Sequence, residues 1–137
     1  MALSRRDRLR RAARIVLAVA MIGVGCLHFA IPDGFVKIIP RSFPAPLTLV
    51  LVSGFFEILG GAGLLVARVR RAASIGLVLL YLAVFPANIN MAVNDVQPVG
   101  VRIPNALLWL RLPLQLVFIA WAIWVGRRDG ESVRPPP

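Results

Sequence analysis

Three ionisable side chains stand inside or at the edge of apolar stretches of this sequence: Glu57 within 51–65, Arg111 within 105–126, and His28, the one histidine, near the end of 15–31. A carboxylate, a guanidinium and an imidazole are the groups that move protons, pair with one another, or grip anionic and carbonyl-bearing ligands. An ionised side chain at the centre of a bilayer costs roughly 2.5–3.5 kcal/mol even on a lenient scale, so each must face the protein interior, pair, or bind something. Ser53 precedes Glu57 by one helical turn and Gln115 follows Arg111 by one, so each couple shares a face. Tyr81, Phe85 and Asn88 follow a four-then-three step, and Asn90 stands just beyond. The least costly arrangement is a Glu57–Arg111 ion pair, with Ser53, Gln115 or Asn88 meeting the remaining hydrogen-bonding capacity. Pro86 and Pro113 free the carbonyls of Leu82 and Trp109 from helical partners, and those carbonyls must be re-satisfied or line a cavity. The candidate ligand-binding or proton-handling set is therefore His28, Ser53, Glu57, Asn88, Asn90, Arg111 and Gln115, with no catalytic residue assigned.

The elements that must carry this set are membrane helices. Hydrophobic residues make up 58% of the chain, above the roughly 45–50% of an ordinary soluble domain. Apolar runs over about 15–31, 47–66, 72–93 and 105–126 approach or reach the ~20 residues that span a ~30 Å hydrocarbon core. The expected fold is all-α, a bundle of four transmembrane helices in one domain over 15–126, after a basic N-terminus over 1–14. A disordered tail is expected over 127–137. Turn residues Pro32, Asp33 and Gly34 end the first run, and a short ordered loop with Lys37 and Arg41 leads to the prolines that open the second. A twin-arginine export signal at Ser4-Arg5-Arg6 and a lipoprotein cysteine at Cys26 are both weaker readings than an uncleaved first span, because no small-x-small cleavage site follows and the apolar run continues past Cys26.

Charge orients the spans. The net charge of +10 comes from 16 Lys and Arg against 6 Asp and Glu, and the basic residues crowd the ends of the apolar runs. Twelve arginines fall on the side of the two termini, against Lys37, Arg41 and Arg102 on the other. The positive-inside rule then makes both termini cytoplasmic. In that frame the candidate residues share the outer half of the bundle or its midplane. Anionic lipid headgroups of the bilayer are the expected partners of the basic flanks, and nucleic acid is not. With Cys26 the only cysteine, an intramolecular disulfide, a CxxC centre and a thiolate zinc site are excluded. No metal site is expected, and one histidine argues against a b-type haem held by His28 and Met91.

The segments 25–35, Ile39-Pro40, 53–61, the arginine turn at 68–71, 85–91 and 111–115 together resemble the DoxX-like family of small bacterial four-helix membrane proteins. The resemblance covers about 15–124. That family takes its name from subunits of an archaeal thiosulfate:quinone oxidoreductase; relatives are linked to membrane oxidoreductase complexes and thiol stress, and a more distant one assists ion-channel assembly in animals. The resemblance implies a redox setting, with His28, Glu57, Asn88 and Arg111 as the positions that carry over.

Two functions of different class follow. In the first, the chain is an accessory or quinone-handling subunit of a membrane redox system. Arg111 and the asparagines bind a membrane quinone or an anionic sulfur substrate, Glu57 or His28 moves protons, and other oxidoreductase subunits or further copies of the chain are partners. In the second, the chain is a non-enzymatic scaffold or assembly factor whose buried ion pair is structural. A small carrier ranks behind both, since it requires an oligomer or a larger repeat than four helices normally provide.

Overall fold

The computed structural model describes residues 4–97 and 102–127 and is helical throughout its ordered elements. Five helices run in order: α1 (Arg5–Ala30), the short α2 (Pro32–Val36), α3 (Pro46–Leu65), α4 (Arg70–Val93) and α5 (Asn105–Gly126). All but α2 are long and apolar enough to cross a membrane. Of the expected tail over 127–137, residues 128–137 lie outside those described, as does 98–101 of the α4–α5 connection.

The first helix starts ten residues before its apolar run. Ser4 caps it by accepting the Asp7 N–H at 3.1 Å and donating its own hydroxyl to Asp7 at 2.7 Å, which satisfies donors that a helix start leaves open. Arginine is itself a good helix former, so nothing in 5–14 breaks the helix. The buried residues of α1 include Asp7, Arg10, Arg14, Leu17, Met21, Gly25 and His28, one stripe at steps of three and four. At its polar end Arg14 is buried, and its Nε donates to the Val125 carbonyl at 2.9 Å. The guanidinium thus closes the carbonyl end of α5, where a cation is favoured.

Prolines set the other starts and bends. Pro46 opens α3 at a position where its missing N–H costs nothing. Ala45 just before it adopts a left-handed φ of 47°. Pro86 and Pro113 lie inside α4 and α5. The long helices pack as a ring in which α3 lies between α1 and α4, α4 between α3 and α5, and a slimmer α1–α5 contact closes the circle. One core cluster, with Leu17, Leu64, Leu77, Ala122 and Val125, fills the end that carries the arginines. A second, with Ile38, Ala87, Met91 and Leu108, fills the loop end beneath α2. Large apolar side chains such as Leu59, Leu79, Leu116 and Val117 point outward and are exposed, an apolar belt of the kind that lipid covers.

Candidate functional site

Helices α1 and α3 cross antiparallel at close range, and glycine makes the approach possible. A Cβ added to Gly25 would lie 2.6 Å from the Gly54 carbonyl oxygen, and one added to Gly54 would lie 2.5 Å from the Cβ of His28. Further along, a Cβ on Gly61 would stand 2.8 Å from the Ala18 carbonyl oxygen. Backbone therefore meets backbone, as small residues allow between membrane helices.

His28 stands three residues after Gly25, and Glu57 three after Gly54. Each Cα–Cβ bond leans toward the start of its own helix. Because the helices are antiparallel, the two side chains lean toward each other. His28 Nδ1 and Glu57 Oε2 meet at ion-pair distance, 2.9 Å; both residues are buried, and neither atom has a hydrogen-bond partner of standard geometry among the described residues. A separation of 2.9 Å puts nitrogen and oxygen within proton-transfer reach, and the contact is an ion pair when the imidazole is protonated. Phe35 of α2 lies against the imidazole with ring centroids 3.9 Å apart, so the short helix shields the pair from the loop side.

The expected Glu57–Arg111 ion pair is not formed. Arg111 is exposed, and its Nη1 lies 3.7 Å from the Met91 sulfur. The cause is geometric: α3 and α5 lie across the ring from each other, whereas the Gly25–Gly54 crossing brings α1 into backbone contact with α3. Arg111 is about 9 Å from the start of α5 by helical rise, within reach of the interface for a snorkelling guanidinium.

Asn88 and Gln115 do come together, in a brace of their own. The Asn88 side-chain amide donates to Gln115 Oε1, and the Gln115 amide donates to the Tyr81 backbone carbonyl. That carbonyl is one residue before Leu82, the one expected to be freed by Pro86, so α5 supplies its polar group to the turn that the proline weakens. The Tyr81 hydroxyl reaches across to the Met21 sulfur at 3.1 Å. Asn90 serves elsewhere, donating to the Ile38 carbonyl at 2.8 Å and pinning the segment after α2 onto α4. Ser53 turns back on its own helix and donates to the Val50 carbonyl at 2.9 Å, so it does not complete Glu57. The seven candidates thus separate into a His–Glu pair, a brace, a loop pin, a back-bonded serine and an exposed arginine.

Phe35 and the paired Gly-x-x-His and Gly-x-x-Glu spacings were not part of the expected site. The glycine spacing was present in the sequence, but its meaning depends on which helices cross. As metal donors, His28 and Glu57 supply half of a four-coordinate shell, and no group of three or more His, Cys, Asp or Glu gathers among the described residues. A cleft of about 600 Å³ at the arginine end and an apolar one of about 390 Å³ between α3 and α4 both lie away from the pair.

A family model described as Domain of unknown function (DUF8561) matches residues 17–126. No curated protein and no solved structure matches the chain.

Proposed function

We propose a function for this chain, which belongs to the DUF8561 family, from its buried pair: a multi-pass membrane protein that holds an exchangeable proton between His28 and Glu57. It serves as an accessory or quinone-handling subunit of a membrane redox system. The observation that carries this reading is the 2.9 Å His28–Glu57 contact, enclosed by α1, α3 and Phe35. Buried ionisable groups inside a bilayer are costly, and they mark proton relays and ligand sites more often than packing. The resemblance of 25–35, 53–61 and 85–91 to the DoxX-like proteins supports the redox setting. A bound quinone would supply a carbonyl that takes up protons on reduction. The pair's part is to give or take one proton at Nδ1 or Oε2, while electrons come from a redox partner subunit, since Cys26 has no second cysteine to work with. The exposed Arg111 is where such a partner, or a second copy, would contribute a carboxylate. The arginine bias puts both termini inside, and the resemblance to the small bacterial DoxX-like proteins makes the bacterial cytoplasmic membrane the expected location.

The test is retention of quinone by the full chain purified in gentle detergent. Wild type should carry a membrane quinone through purification, and Glu57→Gln should lose it with its thermal stability nearly kept. Equal retention by Glu57→Gln would reject the pair as the quinone's site, and no quinone in wild type would reject the quinone role. The scaffold reading has its own support in the Asn88–Gln115–Tyr81 brace, which uses polar groups of two helices to hold them together. It expects no retained quinone and a protein that works through its partners.

A further inference from the structure

We propose that the arginine end of the bundle carries a specific site for an anionic phospholipid, separate from the His28–Glu57 pair and independent of its function. The cleft of about 600 Å³ is bounded by Arg6 and Arg10 from α1, by Arg71, Ile75, Val78 and Leu79 from α4, and by Ile123, Trp124 and Arg127 from α5 and its end. α1 and α4 lie diagonally in the ring, and the cleft opens between them over the end of α5.

The lining changes character in the direction an amphiphile would lie. Arg71 begins one face of α4 that continues through Ile75 to Leu79, about 12 Å by helical rise. Ile75 is 54% exposed, Leu79 61% and Ile123 48%, so this apolar floor faces outward to where acyl chains run. At the mouth are cations from three separate elements. Arg10 is engaged with Asp7 at 2.5 Å, which leaves Arg6, Arg71 and Arg127 to balance a phosphate. Guanidinium groups match phosphate oxygens in paired hydrogen bonds. Arg71 also stands in the first turn of α4, which holds no acidic residue and whose dipole favours an anion. Ser74 donates its hydroxyl to the Ala122 carbonyl at 2.7 Å, so recognition falls to the arginines. Trp124 at the same level is the usual interfacial anchor. A free phosphate would use the arginines alone; only a lipid uses the arginines and the apolar floor together.

The experiment is native mass spectrometry of the full-length protein in gentle detergent, with phosphatidylglycerol or phosphatidylcholine of identical acyl chains added. Wild type should retain one phosphatidylglycerol in preference to phosphatidylcholine. The triple variant Arg6→Gln, Arg71→Gln, Arg127→Gln should retain it on the order of 100-fold less. The control triple Arg5→Gln, Arg8→Gln, Arg11→Gln removes the same charge outside the cleft and should retain it. Leu79→Trp keeps every charge and changes an outward-facing residue, so folding is not at stake, and it should also weaken retention. Equal retention of the two lipids, equal loss in both triple variants, unchanged retention in Leu79→Trp, or displacement by equimolar inorganic phosphate would each overturn the site.

Discussion

His28 Nδ1 lies 2.9 Å from Glu57 Oε2, and each residue stands one turn past a glycine at the point where α1 and α3 touch backbone to backbone. The pair is therefore a property of the crossing. Whatever separates the two helices separates nitrogen from oxygen.

Gly54→Ala should thus be disproportionately damaging for so small a change. The new methyl would meet the His28 Cβ at 2.5 Å and the Gly25 carbonyl oxygen at 3.0 Å, and overpacking of this kind costs about 1–3 kcal/mol. Gly76→Ala, where a Cβ meets nothing within 4 Å, is the matched control. Thermal unfolding in detergent should show a clear loss for the first and none for the second.

The brace between α4 and α5 predicts coupling. Asn88→Leu and Gln115→Leu remove opposite ends of one interaction, and the Gln115 change also releases the Tyr81 carbonyl. A double-mutant cycle should give a coupling of about 0.6 kcal/mol, the average for hydrogen bonds between membrane helices, and no more than about 1.7 kcal/mol. Ser53→Ala, which touches neither end, should add independently to either change.

Charge removal separates structure from chemistry at the pair. His28→Leu or Glu57→Leu alone leaves a buried ionisable group without its partner and should cost about 3–5 kcal/mol when that group is charged. The double variant leaves no such group and should unfold nearer to wild type than either single one. Under the proposed function it should still carry no quinone, whereas a scaffold would keep its partners.

The helices were legible because apolar runs of about the right length announce spans without any knowledge of neighbours. The start of α1 was not, since Arg10 and Arg14 belong to the same buried stripe as Leu17 but break the hydrophobic run. Helical spacing also placed Asn88 and Gln115 as polar groups needing partners. It could not show that Glu57 faces α1 rather than α5, because charge complementarity favoured Arg111 while the decisive feature is a glycine contact between separate segments. Pairing in a bundle is set by which backbones can approach, and that information lies in two positions read together.

The direct test of the His28–Glu57 pair is nitrogen NMR of the full chain with ¹⁵N-labelled histidine and a histidine-free purification tag. With one histidine in the chain, the spectrum contains a single imidazole. Wild type should show an Nδ1 resonance shifted by a hydrogen bond to a carboxylate. Glu57→Gln should move that resonance strongly, and Arg111→Gln should move it little. An Nδ1 signal that is the same in wild type and Glu57→Gln would contradict the pair.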